Sequence, residues 1–161
     1  MIKNFVRGHM QEDINNKQMK LNFELVPDGC WYSNLRSLLS PKQWNIIKKY
    51  TKEKYNGKCA ICGKETNQLD SHERWSYNID NGVQKLEDII AVCKDCHSVI
   101  HIGRTQLKGD IVRAENHYMK VNNCSYAEYR YNLGKANEEH KKMNKISEWK
   151  LDLTNLEKIL K

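Results

Sequence analysis

The chain has 161 residues, of which 39% are hydrophobic and 29% charged, so we expect one domain of ordinary size with a modest core. No apolar run approaches the roughly 20 residues of a membrane span, and the N-terminal segment lacks the apolar stretch of a secretory signal. We therefore expect an intracellular, cytoplasmic protein. The net charge of +7 favours a polyanionic partner, nucleic acid before membrane.

Residues 1–24 are polar and rich in Asn, Lys and Gln. We expect a mobile or loosely attached arm, in which His9 is solvated. The turn signal Pro27-Asp28-Gly29 follows, and Cys30 is expected to be a small buried residue. Four apolar side chains after it are expected to cover one side of the core: Trp31, Leu35, Leu38 and Leu39.

A helix is predicted to begin after Ser40, because serine caps, Pro41 suits the first helical position and Gln43 completes a capping box. It should end near Tyr55-Asn56-Gly57. Residues 42–58 hold six lysines and one glutamate, the densest basic stretch of the chain. This surface either contacts a DNA backbone or is simply solvated. The candidate contacts on it are Lys48, Lys49 and Lys52.

Two CxxC pairs follow, Cys59-Ala-Ile-Cys62 and, 30 residues later, Cys93-Lys-Asp-Cys96. Each pair presents two thiolates from a tight turn, and two such turns complete a tetrahedral Cys₄ zinc site without an open position. We predict a structural zinc ion whose binding energy becomes folding energy. Two disulfides or four buried thiols are the alternative. Four thiols at this spacing also suit a reducing compartment.

Between the pairs, residues 68–77 predict a strand, and Asp80-Asn81-Gly82 predicts a hairpin turn whose loop is longer than two residues. The apolar run 89–92 leads into the second pair. A short helix over residues 96–102, ended by Gly103, should then carry metal ligands.

The C-terminal third predicts mainly helix. One helix is expected over residues 110–121, and a capping box, Ser125-Tyr-Ala-Glu128, should open a long polar helix that reaches about Met143. Residues 147–153 alternate apolar and polar side chains and predict a short strand. Residues 154–157 should cap a terminal helix.

Three histidines lie within or next to the zinc loop. His97 adjoins the last cysteine and His101 lies four residues on, so a helix places both on one face. Two imidazoles there can bind one divalent ion and leave coordination positions open. His72 lies between the two CxxC pairs, beside Glu73. Alternatively, His97 and His101 pack near the zinc or replace a cysteine ligand. His117 has no metal spacing and is expected to be structural or exposed.

The pattern CxxC, then Leu69-Asp-Ser-His72-Glu73, then Val92-Cys93-x-x-Cys96-His97-x-x-x-His101 resembles the zinc-containing HNH endonucleases. Three flanking segments are similar to one subgroup of that family: Trp31-Tyr-Ser-Asn34-Leu-Arg36, His72-Glu73-Arg74-Trp75-Ser-Tyr77 and His101-Ile-Gly103. The resemblance covers roughly residues 25–123. It implies an α+β fold with a ββα-metal core, a β-hairpin and a helix around a catalytic divalent ion, flanked by further helices.

On this basis the chain divides into a polar N-terminal arm (1–24), an HNH-like zinc domain (25–123) and a helical C-terminal extension (124–161). The resemblance implies a metal-dependent endonuclease that hydrolyses DNA phosphodiester bonds. The non-catalytic alternative is a zinc-stapled DNA- or protein-binding module. Outside the lysine-rich helix, the candidate DNA contacts are Arg36, Arg74 and Arg104. A small HNH protein of this Lys- and Asn-rich composition also looks phage-like.

Most members of the family carry His-His or Asp-His at the strand end, where the first residue binds metal and the second is the base. This chain lacks such a pair, and two assignments stay open. In one, His72 is the base, Ser71 takes the ligand position and the metal rests on His97 and His101. In the other, which strand alternation favours, His72 is a ligand and Glu73 is the base.

Under the second assignment three histidines hold the ion: His72, His97 and His101. Such a site suits Zn²⁺, Ni²⁺ or Mn²⁺ better than Mg²⁺, although all four are candidates. The catalytic candidates are His72, Glu73 and His97. The family's central Asn, which orients the base, is replaced by Asp88, which could orient a histidine but would repel Glu73.

Overall fold

The computed structural model describes residues 17–160, so the prediction for His9 lies outside the described residues. In this part of the chain one sheet is formed by β1 (Leu69–Asn78), β2 (Val83–Cys93) and β3 (Lys150–Asp152). The accompanying helices are α1 (Leu35–Leu38), α2 (Pro41–Lys54), α3 (Lys94–Ile100), α4 (Ile102–Leu107), α5 (Ile111–Asn122), α6 (Tyr126–Met143) and α7 (Leu156–Leu160). The predicted α+β class is confirmed. None of these helices has the length and apolar character needed to cross a membrane.

The sheet is built on a long antiparallel hairpin of β1 and β2, and β3 pairs in parallel with the start of β2. The hairpin loop spans residues 79–82, in which Gly82 has a φ of +61°, a value that favours glycine. The predicted turn and its length beyond two residues are confirmed. The strand predicted over 68–77 matches β1 within one residue at each end. The strand predicted over 147–153 is shorter, because only β3 pairs with the sheet.

Both faces of the hairpin are covered by helices. One apolar cluster joins β2 to α3, α5 and α6 through buried side chains: Ile90, Val92, Val99, Tyr118 and Tyr129. A second cluster joins β2 to α1, α2 and α7: Leu86, Ile89, Leu35, Ile47 and Leu156. Successive strand residues point to opposite faces, and accordingly the neighbours Ile89 and Ile90 belong to different clusters. Residues from the predicted C-terminal extension contribute to both.

Both predicted capping boxes are present. The Ser40 hydroxyl accepts from the Gln43 N–H, and the Gln43 side chain accepts from the Ser40 N–H, so α2 begins where its sequence predicts. Ser125 and Glu128 make the same reciprocal pair at the start of α6. These local signals place both helix starts because the partners are only three residues apart.

The predicted cover of the core around α1 is only half right. Leu35 is fully buried and Leu39 packs against the second cluster, but Trp31 is 61% exposed and Leu38 is 48% exposed. Trp31 lies outside α1, directly after the 3₁₀ turn Asp28–Cys30, and Leu38 is the last residue of a helix of only one turn, of which one face meets the core. Cys30 is buried, as predicted.

The helix predicted over residues 96–102 differs from the structure. Helix α3 ends at Ile100, His101 takes φ −98° and ψ 52°, and α4 begins at Ile102. Gly103 therefore lies inside α4 and does not end a helix. The break at His101 separates two short helices, and it falls on one of the predicted metal ligands.

The described part of the predicted N-terminal arm, residues 17–24, is attached to the core rather than loose. Leu21 is fully buried in the first cluster, and its backbone N–H and C=O pair with the Asn122 side-chain amide. Phe23 stacks on Tyr118 with ring centroids 4.7 Å apart. Residues 21–23 thus pack along α5. This packing brings Glu24, the next residue, to His72 of β1.

Replacing Leu21 with alanine should lower the free energy of unfolding by about 2–5 kcal/mol, the usual cost of a cavity at a fully buried leucine. Leu107→Ala is the matched control, because Leu107 is 90% exposed, and it should cost no more than about 0.5 kcal/mol. Urea denaturation measures both. Equal midpoints for the two variants would mean that this segment is not part of the core.

Candidate metal centres

Four cysteines meet at the end of β2. One Sγ atom from each of Cys59, Cys62, Cys93 and Cys96 lies within 4.8 Å of the others, and the Cys62 and Cys93 sulfurs are 3.7 Å apart. None of them forms a disulfide. The two CxxC pairs are therefore brought together as predicted, and their four sulfurs form a donor set that can bind a structural zinc ion.

The backbone shapes each pair into a tight turn. The N–H of Gly63 donates to the carbonyl of Cys59 at 2.9 Å, and Gly63 has a φ of +74° that a side chain would strain. In the second pair, the Cys96 N–H points at the Cys93 sulfur at 3.5 Å, so Cys93 caps α3. Both turns present their sulfurs to one point.

The thiols fit a cation because they cannot all ionise without one. A hydrogen bond from Cys96 lowers the pKa of Cys59, and the same bond raises the pKa of Cys96. Burial raises the pKa of Cys93. A bound dication would stabilise thiolates at all four positions. His117 of α5 also contacts this cluster, with Nε2 3.2 Å from the Cys96 sulfur, where an imidazole N–H can donate to a thiolate.

Three histidines form a second cluster where β1 faces α3. His72 is buried on β1, His97 lies in α3, and His101 lies at the break between α3 and α4. One ring nitrogen from each lies within 4.8 Å of the others, and the ring centroids are 4.9–5.4 Å apart. The three residues predicted as ligands of a second ion are thus brought together, in a group that can hold a metal.

Two of these histidines are oriented by carboxylates. Glu24 Oε2 lies 2.6 Å from Nε2 of His72, and Asp70 Oδ2 lies 2.8 Å from Nδ1 of His97. A carboxylate on one ring nitrogen fixes the orientation of the imidazole and raises its basicity as a ligand, an arrangement common around protein-bound metals.

The protonation states suit metal binding. Burial lowers the pKa of His97, and burial together with the nearby His72 and His97 lowers the pKa of His101 to about 3. These two imidazoles are therefore neutral at neutral pH and keep a lone pair for a metal. Burial acts to raise the pKa of Glu24 and Asp70, but hydrogen bonds and positive neighbours outweigh it and hold both below their ordinary values.

Glu73 lies on the opposite face of the hairpin from His72. Its cross-strand partner is Ile89 of the second cluster, whereas His72 faces Ile90 of the first. Glu73 Oε1 accepts a hydrogen bond of 2.6 Å from the N–H of Leu35, at the start of α1. Burial raises its pKa, which makes this carboxylate more basic than an exposed glutamate.

Asp88, which the resemblance put in the place of a central Asn, has other partners. Its carboxylate receives bonds of 2.8 and 3.0 Å from the Lys54 ammonium group and one of 2.7 Å from the N–H of Ile89. It makes no hydrogen bond to His72 or Glu73; it is ion-paired with Lys54 at the end of α2 and faces Arg74 across the hairpin. Asp88 therefore does not orient His72 as the central Asn of the HNH pattern would orient a base.

The histidine cluster opens on two depressions of the surface. The first, here called the aromatic cavity, has a volume of about 500 Å³ and is lined by His72, His101 and several aromatic side chains. The second, here called the basic groove, has about 520 Å³ and includes His97 and His101. Five cationic side chains line the basic groove: Arg36, Lys48, Lys94, Arg104 and Lys108. Arg104 borders both depressions.

Three of the six predicted DNA contacts meet in the basic groove: Arg36, Lys48 and Arg104. The others lie elsewhere. Arg74 lies 3.4 Å from Glu24, and Lys49 lies 3.9 Å from Glu53 on the exposed side of α2. Lys52 is exposed and does not line the groove. The lysine-rich helix thus contributes one of its three candidates to this surface.

The two carboxylates that orient the histidine cluster, Glu24 and Asp70, were not predicted from the sequence. Asp70 carried a usable signal, because it precedes His72 by two residues on a strand and must share its face. Glu24 carried none, since it lies 48 residues before His72 and reaches it only through the folded N-terminal segment.

Replacing Glu24 with glutamine should weaken binding of a second divalent ion about 10- to 100-fold, because the neutral amide no longer makes His72 a better ligand. Titration calorimetry of the zinc-loaded protein with Ni²⁺ measures the change. Glu53→Gln, at an exposed glutamate of α2, is the matched control and should bind like the wild type. The same Kd for all three proteins would show that Glu24 does not support this site.

A scan against protein-family models, a search of the curated proteins and a search of the solved structures each found no match. The function of the two metal clusters has to be inferred from their own residues.

Proposed function

We propose that this protein is a metal-dependent endonuclease of the HNH type that hydrolyses phosphodiester bonds in DNA. The observation that carries the proposal is the three-histidine cluster beside a basic groove. The chain order supports it as well, because β1, β2 and α3 follow one another as the hairpin and helix of a ββα-metal core.

The ligands of the catalytic ion would be His72, His97 and His101, an all-imidazole set that suits Zn²⁺, Ni²⁺ or Mn²⁺ better than Mg²⁺. A divalent ion held there would neutralise charge on the phosphate and on the leaving oxygen. Glu24 and Asp70 hold two of the imidazoles in position. The four cysteines would hold the structural zinc that fixes the start of α3.

The basic groove would hold the nucleic acid backbone. Arg36, Lys48 and Arg104 reach it from three different helices, so together they can contact more than one phosphate. Arg104 lines the groove together with His101, so it would bring a cation close to a phosphate bound at the histidine cluster. Holding that phosphate in line with the attacking water is a large part of what such a site contributes.

The general base is assigned to Glu73 or to His72. The clustering of His72 with the other two histidines favours its role as ligand and leaves Glu73 as the base. The raised pKa of Glu73 suits a general base. Glu73 and His72 point to opposite faces of β1, which is an edge strand of the sheet, yet both line the aromatic cavity.

A binding module without catalysis is the second candidate. The observation that favours it is the bond between Glu73 and the N–H of Leu35, which commits one carboxylate oxygen to α1. Under this reading the basic groove still binds nucleic acid and the histidine cluster is structural.

The test is nicking of supercoiled plasmid by zinc-loaded protein with Mg²⁺, Mn²⁺, Ni²⁺ or Zn²⁺ in turn. We expect nicking with at least one of these ions. Glu73→Gln should reduce it about 10²- to 10⁴-fold, the usual contribution of a general base, and Glu53→Gln should not change it. Full activity in the Glu73 variant would mean that His72, and not Glu73, is the general base. No nicking with any ion, together with retention of DNA on a gel, would establish the binding module.

A further inference from the structure

We propose that the aromatic cavity receives an unpaired nucleobase, so that the preferred substrate is a nucleic acid with a single-stranded or unstacked nucleotide next to the cleaved bond. This inference rests on the proposed function and adds to it the class of substrate. It is carried by the walls of the cavity, by two polar atoms without partners and by the continuity of the cavity with the basic groove.

Four aromatic side chains line the aromatic cavity, two near its mouth and two deeper. Trp31 and Tyr32 line the cavity while 61% and 87% exposed, and Trp75 and Tyr77 of β1 line it at greater depth. Exposed aromatic rings on a cationic surface are the common platform for unpaired bases, because every base has a face that stacks. The cavity volume of about 500 Å³ lies in the range of roughly 300–1,000 Å³ typical of small-ligand pockets.

Trp31 is held in place although it is exposed. Its indole N–H donates to the carbonyl of Val26 at 3.3 Å, and the 3₁₀ turn Asp28–Cys30 precedes it. The N–H of Asp28 is in turn bonded to the Asn144 side chain at the end of α6. A platform fixed before binding loses little conformational freedom when a base stacks on it.

Two buried polar atoms of cavity residues lack a hydrogen-bond partner among the described residues. Gln84 is 1% exposed; its amide nitrogen donates to the carbonyl of Ser33 at 3.2 Å, while its Oε1 has no partner. The Tyr77 hydroxyl has none either. Buried polar groups are normally satisfied. Both atoms are closed to solvent, so the donors and acceptors on the edge of a nucleobase would complement them only after a small movement of the cavity wall.

The position of the cavity relative to the groove explains why its occupant would be a base rather than another planar molecule. His101 and Arg104 border both depressions. A strand whose phosphates follow the cations of the basic groove would therefore pass the histidine cluster and bring the adjoining base to the mouth of the aromatic cavity. A fully paired duplex keeps its bases stacked and cannot make this contact without unstacking one of them.

The experiment measures binding by fluorescence anisotropy, on zinc-loaded protein without added second ion. The probes are a labelled single-stranded oligonucleotide, the corresponding duplex and the same duplex with one unpaired adenine. The single strand and the bulged duplex should bind about tenfold or more tightly than the paired duplex. Trp31→Ala should remove that difference, and Trp31→Phe should keep most of it, because stacking on one aromatic ring accounts for a factor of this size.

Tyr126→Ala is the control, because Tyr126 is an exposed aromatic residue of α6 that does not line the cavity; it should leave all three affinities unchanged. Equal affinity for the three probes, no binding of any probe, or a Trp31 variant that keeps the preference would overturn the inference. Plasmid nicking by a protein that binds all three probes equally would support the nuclease and contradict only the base site. Tighter, Trp31-dependent binding of unpaired bases by a protein that nicks no plasmid would support the base site and contradict the nuclease.

Discussion

Replacing Cys96 with serine should leave the protein largely unfolded at ordinary temperature. Cys96 is fully buried at the start of α3, within the first apolar cluster. Binding of structural zinc is worth about 10–16 kcal/mol in small zinc-dependent folds, whereas the net stability of a domain is only about 5–15 kcal/mol. Loss of one of four ligands therefore threatens the whole fold, and α3 carries one clustered histidine, His97, and ends directly before another, His101.

Circular dichroism and zinc content per chain measure this outcome. Cys124→Ser is the matched control, because Cys124 is half-buried and lies outside the cysteine cluster; it should keep one zinc ion and melt like the wild type. A Cys96 variant that remains folded with one zinc ion bound would show that the cluster is not the structural site. Wild-type protein without zinc and with oxidised cysteines would show the same.

Replacing His97 with alanine should reduce plasmid nicking by at least about a thousandfold while the chain stays folded and zinc-loaded. His97 supplies one of three clustered imidazoles, and its Nδ1 is already held by Asp70. Under the proposed function, a second ion with one ligand removed would bind weakly, and the several kcal/mol that it would contribute to the transition state would be lost, at a factor of ten in rate for each 1.4 kcal/mol.

Nicking rates and Ni²⁺ titration should be measured on the same preparations. His140→Ala removes an imidazole that is bonded to the carbonyl of Val26, away from the cluster, and should keep the second ion and most of the activity. A His97 variant that nicks at the wild-type rate would refute the three-histidine site. If nicking is lost while the second ion still binds with unchanged affinity, His97 acts on the substrate rather than on the metal.

Local signals were enough to predict much of this protein from its sequence. The CxxC pairs named the four clustered cysteines, and the i, i+4 spacing named His97 and His101, because the spacing of ligands along a turn or helix is fixed by backbone geometry. His72 had no such local signal and was named from its place in the family-like pattern. The capping boxes at Ser40 and Ser125 placed two helix starts for the same reason. The assignment of His72 as ligand and Glu73 as base, which alternation along β1 favoured, stays a prediction.

Long-range packing decided the rest. Glu24 reaches His72 only because Leu21 and Phe23 anchor the N-terminal segment along α5. Trp31, at the end of the 3₁₀ turn Asp28–Cys30, is exposed and lines a cavity with His72 and His101. A break at His101 replaces one predicted helix with two. Sequence spacing thus determined which residues can bind metal, whereas the tertiary structure decided their carboxylate partners and the surfaces beside them, because those contacts join segments that have no local relation in the chain.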